Sequence, residues 1–287
     1  MKHSLPGLRS LPLSMLVVAS FAIGNAHAAS YFVQPIIQVS PGGVINGLEI
    51  NGSLQRSEGF NNAPTSINSI IDLSAGTIKG NVALTGGTPS AAFSQGRLGE
   101  RVRFDGGVGT IATFTFDVNG TINADARDPN LNSTQQVFVE AYIAVFAAST
   151  GATSSTWFDL SFGAEDQTLA KDRVTFSFTN PSVDISEMIS ETLQASVMIE
   201  AGQRSFDVFA NLTLIGSLNL NPGTVNLDFL NTASLGIQVD PGVTYASASG
   251  AFLDSTTVIP LPAAVWFSLS ALGSLLLVRR RQVISKA

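Results

Sequence analysis

The chain has no cysteine in 287 residues and only two histidines, His3 and His27, both within the first 28 positions. Everything after them therefore lacks disulfides, a thiolate nucleophile, and any Ser-His-Asp or Cys-His relay. It also lacks the imidazole and thiolate ligands of a zinc or copper site. Charge is sparse, with Asp, Glu, Lys and Arg making up 13% of the residues. Cations are scarcest in the middle: residues 29–257 hold nine Lys and Arg against all 21 Asp and Glu, a formal charge of −12, whereas the whole chain carries −6. Such a surface opposes nucleic acid and other polyanions, favours solubility, and can attract divalent cations. No cofactor is implied.

The long apolar runs stand at the two ends. Lys2 and Arg9 precede a short, mostly apolar stretch over residues 11–23, and Ala26-His27-Ala28 has the A-x-A form of a cleavage site. That pattern predicts a secretory signal peptide cut at Ala26 and Ala28. Without cysteine no lipid can be attached there, and stability must come from core burial. A domain of this length removes about 70% of its unfolded surface from water. At the other end, Pro260-Leu261-Pro262-Ala263 opens an uncharged apolar run over residues 261–278, closed by Arg279, Arg280 and Arg281. Eighteen helical residues span about 27 Å, close to the hydrocarbon thickness of a bilayer. The arginines hold that end in the cytoplasm, and Trp266 suits the opposite interface.

Motif, apolar span and arginine cluster together resemble the VPLPA-type variant of the PEP-CTERM sorting signal, with Ile259 where that variant has valine. The resemblance implies an exosortase as transient partner, a membrane-embedded cysteine transpeptidase that removes the tail. It makes Pro260, Leu261, Pro262 and Ala263 the recognised motif and Arg279, Arg280 and Arg281 the stop-transfer cluster. It also implies an exported bacterial surface or exopolysaccharide-matrix protein whose precursor sits in the inner membrane. The stretch from Leu227 to Gly250, with Pro241-Gly242 at its centre, is similar to the strands that precede such tags. A plain single-pass anchor is the alternative. The chain divides into a signal peptide (1–28), an extracellular domain (29–257) and a sorting tail (258–287).

The middle reads as strands. Thr113-Phe114-Thr115-Phe116 and Thr175-Phe176-Ser177-Phe178 alternate strictly, which places phenylalanines on one sheet face. Other β-rich runs cover residues 31–34, 108–118, 136–146, 157–162, 173–178, 195–199, 205–214, 235–239 and 244–253. Asn46-Gly47, Asn51-Gly52, Gly86-Gly87, Asn119-Gly120, Asn180-Pro181, Asn221-Pro222-Gly223 and Asp240-Pro241-Gly242 read as turns. This spacing predicts an all-β domain, an antiparallel β-sandwich or jelly roll. One helix is expected over residues 184–193, with Ile185, Met188, Ile189 and Leu193 as its apolar face. Residues 60–69, 86–96 and 149–156 read as loops.

Candidate sites in the middle are few. Asp125, Asp128, Asn130 and Asn132 have the alternate oxygens of a calcium loop, but Ser133 stands where glycine is needed and no glutamate closes the loop. A self-satisfied Asx turn is the plainer reading. Glu165 and Asp166 can be paired as acid and base or read as a solvated turn, and the latter is preferred. Trp157, Phe158, Tyr142 and Tyr245 can stack on sugar rings or fill a core. Arg97, Arg101 and Arg103, with Glu100 among them, suit contact with an anionic polysaccharide or a charged edge strand, which is preferred. Two classes of function follow: a non-catalytic structural or interaction protein, and a carbohydrate-binding sandwich. Neither is expected to be an enzyme.

Overall fold

A computed structural model describes residues 31–250, apart from 41–42, 47–49, 52–53, 63–64, 87–89, 132–133, 154–155, 164–165 and 220–221. Among these residues run β1 Phe32–Ser40, β2 Gly43–Asn46, β3 Ile50–Asn51, β4 Gln55–Asn62, β5 Thr65–Asp72, β6 Thr77–Thr85 and β7 Ser90–Asp105. They continue with β8 Ile111–Ala124, β9 Thr134–Ala147, β10 Ala170–Thr179, β11 Ile185–Met198, β12 Ser205–Asn219, β13 Thr224–Gln238 and β14 Thr244–Ser247. A 3-10 turn at Ala148–Thr150 and a six-residue helix, α1 Trp157–Phe162, interrupt them. Within these bounds no helix is long and apolar enough to cross a membrane. The membrane helix expected over 261–278 lies outside the described residues.

Eight strands form one sheet in the order β10-β9-β12-β7-β1-β2, with β14 also on β7 and β3 on β1. Six form a second, in the order β11-β8-β13-β6-β5-β4. Pairing is antiparallel throughout, and from β6 onward nearly every connection crosses between sheets. The fold is an antiparallel β-sandwich. Alternation fixes what lies between the sheets: β5 buries Thr65, Ile67, Ser69 and Ile71, and β6 buries Ile78, Val82 and Leu84. Each large apolar side chain so buried contributes about 1.5–3 kcal/mol. Ser69, one of the two polar members of the β5 row, donates its hydroxyl to the Gln95 carbonyl 2.9 Å away in the facing sheet.

The expected helix at 184–193 is strand β11. Ile185, Ile189 and Leu193 are buried, but so are Ala195 and Val197, and Met188 is 84% exposed. The inward positions between them are Glu187 and Glu191, which stay exposed because β11 is the edge of its sheet. Inward-pointing charges on an edge strand discourage pairing with another chain. They also leave apolar residues four apart, which imitates a helical face.

The converse error falls on residues 157–162, expected as a strand and found as α1. Trp157, Leu160 and Ser161 turn inward at helical spacing, and six residues are too few to separate the two periods. Residues 60–69 and 86–96, read as loops, contribute to β4, β5 and β7. Their outward positions carry Asn, Ser and Gln, which mask the alternation. The last expected strand is short, ending at Ser247.

Asn119-Gly120, read as a turn, lies inside β8. The register of β13 on β8 shifts between Asp228 and Thr232, and the Phe229 ring lies over Gly120 in that bulge. A Cβ at Gly120 would stand 2.4 Å from that ring.

β14 closes the fold against β7, with Ser247 opposite Val102 and the Ala248 N–H donating to the Arg101 carbonyl at 2.8 Å. Glu100 faces inward here, almost wholly buried, and accepts the Ser249 N–H at 3.0 Å. Burial pushes its carboxyl above the ordinary carboxylate range, against opposing pulls from its hydrogen bonds to Ser249.

Gly120→Ala is expected to destabilise the domain by about 1–3 kcal/mol through overpacking, read as a lower urea midpoint with an unchanged slope. An unchanged midpoint would mean that Phe229 is free to move. Glu100 supplies a pH test. A raised folded pKa favours the protonated group, so its contribution is greatest below the ordinary carboxylate pKa and is lost as pH rises through the folded value. Glutamine keeps an acceptor for Ser249 without the charge. Glu100→Gln is expected to raise the urea midpoint at neutral pH and to flatten its fall as pH rises above the ordinary carboxylate range. A lower midpoint at pH 7 would show that the buried carboxylate is compensated.

Candidate binding face

The outer face of the eight-stranded sheet is only partly covered. The connection from β9 to β10 folds over one end of it and brings α1 down on Phe209, Tyr142, Phe146 and Phe32, a second apolar cluster separate from the sandwich core. Trp157 stacks on Phe209 (5.6 Å, 2°) and on Tyr142 (5.4 Å, 19°). Lys171 ties the helix down by donating to the Ser161 carbonyl at 2.7 Å. Phe162, partly exposed, packs on Tyr142 at 4.8 Å, with the charged ends of Lys171 and Arg173 over its ring.

Beside this wall the register lays out polar rows across five strands. One runs Arg173, Tyr142, Asn211, Arg97, Gln34 and the next Thr175, Glu140, Thr213, Gln95, Ile36. A third, more apolar row, with Phe138, Ile215 and Phe93 at its centre, follows. At its far end Gln38, Ala91, Ala92, Phe93 and Ile215 line a depression of about 230 Å³. The face is therefore a polar floor between two apolar margins.

The floor is unusually buried for a sheet exterior: Asn211 is 1% exposed, Thr213 5% and Gln95 8%. The Thr213 hydroxyl accepts from both amides, Gln95 Nε2 and Asn211 Nδ2, each at 3.0 Å. That leaves Asn211 Oδ1 buried with no hydrogen-bond partner. Its cross-strand neighbour Arg97 has a buried Nε, also without a partner. Burial lowers the Arg97 pKa. Two other cations on the face are matched. Arg101 makes a two-pronged pair with Asp207, Nε to Oδ1 at 2.7 Å and Nη2 to Oδ2 at 2.9 Å. Arg173 lies 3.6 Å from Glu140, whose carboxyl is raised by burial against that cation's pull.

The basic group of the sequence is thus divided. β7 lies between β12 on one side and β1 and β14 on the other, so Arg97, Arg101 and Arg103 are not on an edge strand. Arg101 is consumed by Asp207, and Arg103, exposed, stands toward the end of the strand. Arg97 alone reaches the polar floor.

The aromatic candidates divide as well. Trp157 and Tyr142 are core, and burial pushes the Tyr142 phenol up to about 12. Tyr245 is half-buried against Phe104 at 6.0 Å, on the inner side of the sheet.

The oxygen-rich turn satisfies itself: Asp125 accepts the N–H and hydroxyl of Thr224, and Asp128 accepts the N–H and side-chain amide of Asn130. Asn132 and Glu165 lie outside the described residues. Asp166 accepts from Lys171 and Thr168, which holds its carboxyl down to about 2. Ala26, Ala28, Pro260, Leu261, Pro262, Ala263, Arg279, Arg280 and Arg281 also lie outside the described residues.

Asn211, Thr213, Gln95 and Glu140 were not singled out from the sequence. The signal was present in Ser205-Phe206-Asp207-Val208-Phe209-Ala210-Asn211-Leu212-Thr213-Leu214, where polar residues recur at alternate positions of an otherwise apolar strand. Recognising them as a floor requires the neighbouring strands.

No family model matches the chain, and no curated protein matches it. Among solved structures it is similar to the enzymatically active domain of bacteriophage CBA120 tailspike protein 4, at 9% identity and a TM-score of 0.21. That likeness covers 66% of this chain and 20% of the other, so the chain spans about a fifth of that protein. It is also similar to carbohydrate-binding modules from the β-sandwich superfamily, at 8% identity and a TM-score of 0.20, over 72% of this chain and 85% of the other. Neither score is high enough to bear on what the face binds.

Proposed function

We propose that this chain is an exported bacterial surface or exopolysaccharide-matrix protein, sorted at its C-terminal tail by an exosortase, with a non-catalytic sandwich as its mature domain. The observation that carries the reading is the tail: Pro260-Leu261-Pro262-Ala263, an uncharged run of membrane length, and Arg279-Arg280-Arg281 in that order. The signal-peptide pattern ending at Ala28 supports export through the inner membrane. The sandwich occupies the stretch between the two, and its last strand is fixed on a central strand of the larger sheet. A non-catalytic role accords with a middle free of His and Cys and with Asp166 already engaged by Lys171 and Thr168.

A second reading, binding of carbohydrate by the sandwich, is favoured by one observation. The outer face of the larger sheet presents the half-buried guanidinium of Arg97 and the partly exposed rings of Phe162, Phe138 and Phe93. Such a combination suits sugars, which present hydroxyls that both donate and accept and apolar ring faces.

The tail is tested by intact mass and C-terminal peptide mapping of the protein from envelope and extracellular fractions. Loss of the tail near Pro260 is expected, and an added mass there identifies covalent transfer to an acceptor. A C-terminus intact through Arg281 in the membrane fraction would overturn sorting in favour of a plain single-pass anchor.

A further inference from the structure

We propose that Asn119 carries an N-linked glycan, added while the chain is exported and before the sandwich closes. The inference goes beyond the sorting reading and rests on its export step.

A motif and its place in the fold carry it. Asp117-Val118-Asn119-Gly120-Thr121 contains the Asn-x-Ser/Thr acceptor of N-glycosylation, with no proline between. The carboxylate two residues ahead extends it to Asp/Glu-x-Asn-x-Ser/Thr, the form that bacterial transferases of this class accept. The three side chains stand at alternate positions of β8, so an extended chain shows them on one side. In the folded domain that side is the outer face of the six-stranded sheet, because Phe116, Val118 and Ile122 fill the core between the sheets. Asp117, Asn119 and Thr121 are each partly exposed there.

The surroundings leave room for a sugar. Asn119 lies opposite Ser190 of β11 and Thr232 of β13, both small, and the β13 bulge adjoins this row. On β8 and β11 no aromatic ring stands on this face. The helix α1 and the 3-10 turn lie against the other sheet. Asn211-Leu212-Thr213 has the same short acceptor form, but Phe209 stands at its acidic position and Asn211 is buried, bonded to Thr213. A glycan there has no space. The longer form recurs at Glu49-Ile50-Asn51-Gly52-Ser53, of which residues 49 and 52–53 lie outside the described residues.

The fold also dates the modification. Asn119 is paired on both sides, and the Asp117 carboxylate accepts the Thr192 hydroxyl at 2.6 Å. Held in a sheet, the motif cannot bend into a transferase site, and its acid is already engaged. β11 and β13 follow β8 in the chain, so the motif is still unpaired when it leaves the membrane. The transfer is a substitution at the sugar. Asn119 Nδ2 forms a bond to the anomeric carbon of a glycan carried on a polyprenyl diphosphate. The carbon–oxygen bond to the diphosphate breaks, the lipid diphosphate leaves with that electron pair, and Nδ2 gives up one proton.

The experiment uses the protein exported by its own host, taken from envelope and extracellular fractions and digested with trypsin. The peptide of residues 104–127 contains Asn119 and no other Asn-x-Ser/Thr motif. It is expected to carry the mass of an oligosaccharide, with fragmentation placing the sugar on Asn119. Asn119→Gln is expected to abolish that mass and Asp117→Asn to reduce it at least tenfold. Full-length chain folded in a host without a transferase is expected to gain no sugar from the membranes of its own host, whereas a synthetic peptide of residues 113–125 gains it. An unmodified peptide in chain that begins at Ala29 would overturn the proposal and leave export standing. An unmodified peptide in chain that retains residues 1–28 would remove export and the proposal with it. Sugar on a threonine of the same peptide, or a mass gain no larger than deamidation of Asn119-Gly120, would refute the asparagine linkage. Full occupancy in Asp117→Asn would refute the part given to the acid, and efficient modification of the folded chain would refute the timing.

Discussion

The register of β12 against β7 and β9 governs both faces of this molecule. Fourteen residue pairs join β12 to each neighbour. One parity of β12, from Val208 through Ala210, Leu212 and Leu214, enters the sandwich core. The other parity, Asp207, Phe209, Asn211 and Thr213, forms the ion pair, the seat of Trp157 and the polar floor. A slip of one residue would exchange these sets and place Asp207 and Asn211 between the sheets. The core and the candidate binding face are thus specified by one ladder, and neither can be altered by re-registering without loss of the other.

This arrangement explains why so polar a set of side chains is tolerated at low exposure. Gln95, Asn211 and Thr213 share hydrogen bonds across the ladder, and Arg101 and Asp207 neutralise each other. Two of the buried polar atoms without a hydrogen bond, Arg97 Nε and Asn211 Oδ1, belong to residues that face each other across β7 and β12; Glu100 Oε2 and the Tyr142 hydroxyl are others. The rest of the fold supplies the stability that tolerates such locally unfavourable groups.

The all-β class was legible because phenylalanine alternates with threonine or serine in β8 and β10, and the main turns carry Asn, Pro and Gly. The order of strands was not, since nothing in a strand names its partner. Particular failures have particular causes. Glu187 and Glu191 break an inward row on an edge strand and leave helical spacing behind. Gly120 follows an asparagine as in a hairpin turn, yet it is there to admit the ring of Phe229: the bulge that seats the ring forms on β13, more than a hundred residues later, and so short a motif carries no sign of it. Arg97, Arg101 and Arg103 looked alike in sequence, and only the cross-strand partners separate a paired cation from an open one.

The four residues of β14 carry a mechanical meaning. The chain leaves the described sandwich beyond Gly250, immediately after the Ser249 N–H bonded to Glu100. Any force drawn through that end meets a four-residue strand and one buried carboxylate before it reaches the long ladders of β7, β12 and β9. β14 would therefore yield first, lengthening the chain by a few residues while both sheets keep their other pairings. A molecule held at this end behaves as a rigid body on a short, releasable leader, and load on the leader does not disturb the face that carries Arg97.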